Sequence, residues 1–231
     1  MLVTAWITAS LSIASAGSTA NRIDAMEDAW SKVDAYCSRF VVSFHSDAQS
    51  TMSLGKTCWS KAGQIRTELQ SSQGPIIEIR GEREVWYHNP ARPVVVHLSA
   101  SSDFDLDTKQ IGRGIGELID LLSKANNVRD LGSVELGGQK TWRFEVPRKT
   151  GNVIVFVDAK KRLPVAVELR TEDRPLMSYG FTNLMVNPQI PKDFFTIKTP
   201  ENYPVVDLHF DPKTNTPSEL LQQLQKRKEK R

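Results

Sequence analysis

Cys37 and Cys58 are the residues of this chain whose type and spacing most directly permit chemistry. If Ser38–Ser46 and Ser50–Trp59 form a hairpin turning at Asp47-Ala48, facing residues have numbers totalling 95, and Cys37 meets Cys58. A cross-strand disulfide is then geometrically possible in an oxidising compartment. Two buried free thiols, or a slipped register, is the other reading. Two Cys so spaced, without clustered His, are not a zinc signature.

The remaining reactive residues do not assemble into a catalytic pattern. Asp103-Phe104-Asp105-Leu106-Asp107 matches the first three positions of a calcium loop. Such a loop then needs Gly sixth and Glu twelfth, where Thr108 and Gly114 stand. The acidic run reads as a solvated strand edge leading to a helix N-cap. Gly112-Arg113-Gly114-Ile115-Gly116 has no strand closely before it and no Lys-Ser/Thr after it, so it is not a nucleotide loop. Its glycines read as loosening the start of a helix, since each lowers helix stability by about 1 kcal/mol. His45, His88, His97 and His209 are scattered singly, and no Gly-x-Ser-x-Gly elbow occurs. Glu78, Glu82 and Glu84 surround one turn, whereas acid/base work needs carboxylates in a shared cleft. No nucleophile–base pair is visible, so the reading is a non-enzyme without metal or cofactor.

Strand patterns dominate the elements that would position these residues. Around Gly81-Glu82 and Asn89-Pro90, Ile76, Ile77 and Ile79 are followed by Val85, Trp86 and Tyr87, then by Val94, Val95 and Val96. β-branched and aromatic residues grouped between Gly, Asn and Pro suit a pleated, half-buried surface. Similar runs occupy 38–69, 134–146, 153–169 and 177–186. Helical spacing marks Asn21–Tyr36, through Ile23, Met26, Ala29 or Trp30, and Val33. It recurs at Ile111, Ile115, Leu118, Ile119 and Leu122, and Thr216-Pro217-Ser218-Glu219 has cap-and-Pro chemistry for a last helix. The fold class is mainly β (α+β), with roughly ten antiparallel strands, a number that must curl. The mid-chain helix is the obvious cover for one apolar face.

A curved sheet under a helical flap encloses an apolar pocket, the usual form of a hydrophobic ligand site. On that reading Ile111, Ile115, Leu118, Ile119 and Leu122 form the lid. Phe40, Val42, Phe44, Ile77 and Ile79 would line the cavity with Trp86, Val94, Val96, Trp142 and Phe144. The same residues could simply fill a core, the commoner fate of large apolar side chains. Strand faces are not assignable here, because a one-residue register error exchanges them.

The ends and the charge bound the setting. Met1–Ala20 carries no charged side chain, and both Ala14-Ser15-Ala16 and Ser18-Thr19-Ala20 have the small-x-small look of a signal-peptidase site. Export with cleavage near Ala16 or Ala20 is expected; a membrane anchor is the competing reading, for which the run is short. The division expected is 1–20 signal peptide, 21–210 one β-rich domain and 211–231 a basic C-terminal helix or tail. Lys226, Arg227, Lys228, Lys230 and Arg231 against Glu229 leave +4 in the last six residues, so the other 225 total −1 of the chain's +3. A near-neutral body does not suit nucleic acid, whose binders spread cations over a face. The tail is either solvated or makes transient contact with anionic lipid, each basic residue contributing about 1 kcal/mol there.

Several short motifs point to one family. Val33-Asp34-Ala35-Tyr36 with Phe40, then Cys58-Trp59-Ser60-Lys61, then Val85-Trp86-Tyr87-His88-Asn89-Pro90 resemble the outer-membrane lipoprotein carrier (LolA-like) superfamily. Phe181–Val186, Asn187-Pro188 and Phe194-Phe195 through Pro200 resemble its C-terminal strands. Gly74-Pro75 through Ile79-Arg80-Gly81 is also similar to the related periplasmic sensor (RseB-like) domains. The resemblance implies an unclosed β-barrel whose concave face accepts acyl chains under a helical lid. It departs at one place: where the carrier has a lid-latching Arg after Trp-x-Lys, this chain continues Ala62-Gly63. The implied function is a periplasmic protein that binds acyl chains of a lipid or lipoprotein, in the manner of a carrier. The alternative is an envelope sensor or adaptor domain that binds a protein partner.

Overall fold

The computed structural model describes residues 16–46, 50–81, 84–100, 114–171, 174–199 and 201–210. The elements in chain order are α1 (Ala16–Ser31), β1 (Ala35–His45), β2 (Ser50–Ser60), β3 (Gln64–Leu69), β4 (Ile76–Arg80), β5 (Glu84–His88) and β6 (Val95–Ala100). They continue with α2 (Ile115–Lys124), β7 (Arg129–Leu136), β8 (Gln139–Arg148), β9 (Gly151–Asp158), β10 (Pro164–Thr171), β11 (Arg174–Val186) and β12 (Val205–Phe210). The twelve strands form one curved, unclosed sheet in the order β12-β6-β5-β4-β3-β2-β1-β11-β10-β9-β8-β7. Roughly ten antiparallel strands were expected; β12 is an addition, and it runs parallel to β6.

Helix α1 ends earlier than its apolar spacing suggests. Asn187 accepts the Asp34 and Ala35 amides on Oδ1 and donates Nδ2 to the Lys32 carbonyl. Those backbone groups are therefore taken by a side chain instead of by another helical turn, and Tyr36 enters β1 opposite Trp59.

Register sorts the side chains into two faces. The inner face, on which the helices sit, carries the row Tyr36–Trp59–Ile65–Arg80–Val85–Leu98 across β1 to β6. The outer face carries Cys37–Cys58–Arg66–Ile79–Trp86–His97–Asp207 across β1 to β6 and β12. Cys37 and Cys58 are joined by a disulfide there, in the pairing the hairpin arithmetic gives. Phe40 lies over Gly55, where a Cβ would run into its ring, so this site on β2 admits only glycine without repacking.

The core occupies the inner face of β8 to β11 and β1. Helix α2 presents Ile115, Leu118, Ile119 and Leu122 to a cluster with Met26, Tyr36, Phe144, Val155, Val157 and Val167. Gly116 lets the two helices approach: a Cβ there would sit 2.7 Å from the Trp30 ring. That glycine is a close-packing residue, not a device that loosens the helix; Gly112, like Ile111 and the acidic run 103–107, lies outside the described residues.

On the outer face, residues 188–199 and 201–204 form a strap that carries the chain from β11 to β12. The Arg66 Nη1 donates to the Phe194 carbonyl at 2.9 Å and its guanidinium lies over the Phe194 ring at 5.0 Å. Tyr203 meets the His88 ring edge-on at 5.6 Å, and the Val95 amide donates to the Pro204 carbonyl. Ile79 and Val95 are buried on this face. No helix among the described residues is long and apolar enough to cross a membrane. Residues 1–15 and 211–231 lie outside them, and with these most of the expected signal peptide 1–20 and the expected basic tail.

Candidate functional site

The ten residues expected to line one cavity are divided by the fold. Phe40, Val42, Phe44, Val96, Trp142 and Phe144 share the inner face. Ile77, Ile79 and Trp86 point the opposite way; Ile77 and Ile79 lie on the strap side and Trp86 stacks on His97 at 4.0 Å. A strand face cannot be read from composition: β4 and β5 carry apolar residues on both faces, and Ile77, Ile79 and Trp86 stand on the outer one. Val94 precedes β6 and is half-buried.

The space beneath α2 is filled by the protein's own side chains. Phe144 is 0% exposed and Ile115, Leu118, Ile119 and Leu122 are each 2% or less. A side chain with no accessible surface borders neither solvent nor a void that admits water. The four described lid residues are thus core residues, and Phe144 and Phe40 are packing residues rather than cavity walls. Phe40 stacks on Tyr179 at 5.0 Å, and Tyr179 in turn meets Phe181 at 4.9 Å. Val42 and Phe44 lie further along β1, and Phe44 is 50% exposed.

Open volume lies beside α2. A cleft of about 410 Å³ is lined by Tyr36, Trp59 and Ile65 from the sheet, Gly114 and Gly116 at the start of α2, and Lys61 and Glu117 at its polar side. That volume falls within the range of small-molecule sites, roughly 300–1,000 Å³. Its aromatic wall is built by stacking: Tyr36 and Trp59 lie 5.8 Å apart at 21°, and Trp30 backs Trp59 at 4.7 Å. Lys61 is held at 3.1 Å from the exposed Asp34 carboxylate.

Tyr36 does more than line the wall. The buried Ile115 amide donates to its phenol oxygen at 3.3 Å, and Gly114, the N-cap, offers no side chain. The first turn of α2 is therefore tied to β1 by a tyrosine. Burial pushes the Tyr36 phenol well above the ordinary tyrosine range, with a smaller push from the Glu117 carboxylate, and the Ile115 hydrogen bond opposes them. Burial likewise raises Tyr179.

Beyond the cleft the inner face of β2 to β6 is mixed in polarity. The row Thr57–Thr67–Glu78–Tyr87–Val96 crosses it, and Glu78 forms an ion pair with Arg80. The Ser38 and Thr57 hydroxyls, facing each other across β1 and β2, are buried without a hydrogen-bond partner among the described residues. Glu84, by contrast, sits on the outer face near Trp86 and His97, so Glu78 and Glu84 do not share a cleft. Among the described residues, no group of three or more His, Cys, Asp or Glu could hold a metal ion.

Sequence reasoning missed Trp59, Ile65 and Tyr36 as site residues. A signal existed: the same arithmetic that pairs Cys37 with Cys58 places Tyr36 opposite Trp59.

No family model matches the sequence, and no curated protein matches it. Solved structures do. An uncharacterised conserved protein from Thermus thermophilus aligns with a TM-score of 0.54 at 11% identity, over 84% of this chain and 100% of that one. MucB aligns with a TM-score of 0.51 at 15% identity, over 83% of this chain and 66% of MucB. This chain therefore spans just under two thirds of the MucB chain. A LolA superfamily protein from Nitrosomonas europaea aligns more loosely, with a TM-score of 0.38 at 10% identity, over 80% of this chain and 98% of that one. The likeness to the first two is one of fold: this chain has the open half-barrel architecture that the sequence resemblance implies.

Proposed function

We propose that this protein is an exported binding protein, not an enzyme, which takes an acyl chain of a lipid or lipoprotein beside α2 rather than beneath it. The cleft walled by the partly exposed Trp59 and Ile65, with the buried Tyr36 stacked against Trp59, carries this reading, because it pairs an aromatic-aliphatic wall with a polar rim at Lys61. An apolar chain laid on that wall gains about 25 cal/mol for each Å² removed from water. Export is supported by the uncharged leader and by the Cys37–Cys58 bond, which persists in oxidising compartments.

The test is solvent extraction and mass spectrometry of the exported protein, alongside an Ile65→Glu variant. Co-purifying acyl species that are depleted in the variant support the reading. An empty protein that also fails to take up a fluorescent fatty acid refutes it.

A second reading, a sensor or adaptor for an envelope protein, is favoured by a different feature. On the outer face Met52 and Leu54, two residues apart on β2, are 67% and 41% exposed, and Met185 is 56% exposed further along the sheet beside Cys37. Contiguous exposed apolar surface marks protein contacts, and the Met52–Leu54 pair is the candidate for it here. Specific co-purification of one envelope protein, lost in Met52→Lys, would favour it.

A further inference from the structure

The strap creates a second cleft, on the face opposite the acyl site. It has a volume of about 300 Å³, floored by Arg66, Ile77 and His88 and roofed by Pro191, Phe194, Ile197 and their neighbours. Its walls are apolar at Ile77, Phe194, Ile197 and Pro191. Its polar groups are mostly donors: Arg66, His88 and Lys198 against the single carboxylate of Asp193, which already holds Lys198 at 3.0 Å.

The donors are only partly used. Arg66 is largely buried and spends Nε on Glu68 and Nη1 on the Phe194 carbonyl, while no hydrogen bond engages Nη2 among the described residues. The His88 Nε2 is buried and has no hydrogen-bond partner among the described residues. Register places Arg66 opposite Ile79 on one side of β4 and His88 opposite Ile77 on the other, so the two donors flank an isoleucine floor. A buried polar atom without a partner is uncommon and marks a place where a ligand group or water belongs. The one guanidinium nitrogen left over, Nη2, offers a single charge-assisted hydrogen bond, which suits one oxygen of a carboxylate.

We infer that this outer cleft binds a small monocarboxylic acid with an aliphatic body. The carboxylate lies between Arg66 and His88, and the hydrocarbon lies on Ile77, Ile197 and Phe194. At about 30 Å³ per water-sized group, the cleft holds roughly ten heavy atoms, the size of octanoate. The site is separate from the acyl cleft at Trp59: the sheet lies between them, and one can fail without the other.

The full chain is titrated with sodium octanoate while the His88 ring, the Ile77 and Ile197 methyls and the Trp59 indole are followed by NMR. Saturable shifts at His88, Ile77 and Ile197 are expected, with 1-octanol and octylamine each binding at least tenfold more weakly. Lys198→Glu, at an exposed position, should weaken octanoate but not octanol. Ile197→Trp, which fills the cleft from the strap, should abolish the His88 shifts and leave any Trp59 shift intact. Shifts confined to Trp59, or equal affinity for octanoate and octanol, would overturn the assignment.

Discussion

Replacing Tyr36 by Phe removes one oxygen and tests whether the start of α2 is held by a latch or only by packing. The hydrogen bond from the Ile115 amide is 3.3 Å, longer than the usual 2.9–3.0 Å or so, which places its own contribution near the low end of about 0.5–1.5 kcal/mol. The larger effect is what remains. Ile115 is 0% exposed, so its amide cannot turn to water, and a stranded buried donor costs about 1–3 kcal/mol. A loss near 1.5 kcal/mol follows, or ~3–6 °C in Tm for a domain of this size. Urea unfolding gives the free energy, and hydrogen exchange at Ile115 locates it. Tyr179→Phe is the control, because the Tyr179 hydroxyl is in no hydrogen bond among the described residues; its loss should be smaller. A Tyr36→Phe protein as stable as the parent, with Ile115 protection unchanged, would mean that the phenol latches nothing.

Removing the disulfide by Cys37→Ser with Cys58→Ser should cost about 3 kcal/mol, the chain-entropy value for a loop closed across a sequence separation of 21, measured by urea unfolding. A difference under about 0.5 kcal/mol would show that the hairpin is ordered before it is cross-linked. Alkali should destabilise the fold through Tyr36 and Tyr179, because burial holds both phenols protonated in the native state. Above the ordinary tyrosine pKa of about 10 the unfolded chain releases those protons and the folded chain keeps them, so stability falls as pH rises. The slope is about 1.4 kcal/mol per pH unit for each group. Tyr179→Phe should therefore flatten the decline by one proton's worth, and a pH profile unaltered by that substitution would refute the assignment.

What could be read from the sequence depended on whether neighbouring residues or distant ones decide the outcome. The first hairpin is local, so one turn position set every pair, including Cys37 with Cys58 and Tyr36 with Trp59. The pair β4–β5 is equally local, yet Ile77, Ile79 and Trp86 were given the wrong face. Both faces of this hairpin carry apolar residues, Ile76 and Val85 inward and Ile77 and Trp86 outward, so alternation gives no direction. Only the strap from 188 onward explains why outward isoleucines are buried, and no local pattern announces it. Strand β12 is hidden for the same reason: Val206 and Leu208 alternate as a strand should, but their partners Val96 and Leu98 lie more than a hundred residues earlier.

Helix α2 shows a different limit. The spacing of Ile115, Leu118, Ile119 and Leu122 is right for a helix that covers a sheet, and such a stripe looks identical on a movable lid and on a core helix. The distinction lies in what faces the stripe. Phe144, Val155, Val157 and Val167 fill it without remainder, and Gly116 brings Trp30 into contact with the other side. Lifting α2 would expose this whole cluster to water, whereas entering the cleft at Trp59 exposes nothing that is now buried. A ligand that needs only the second step meets the smaller barrier, and this favours the proposed site beside the helix, which could fill while the Tyr36 hydrogen bond stays closed.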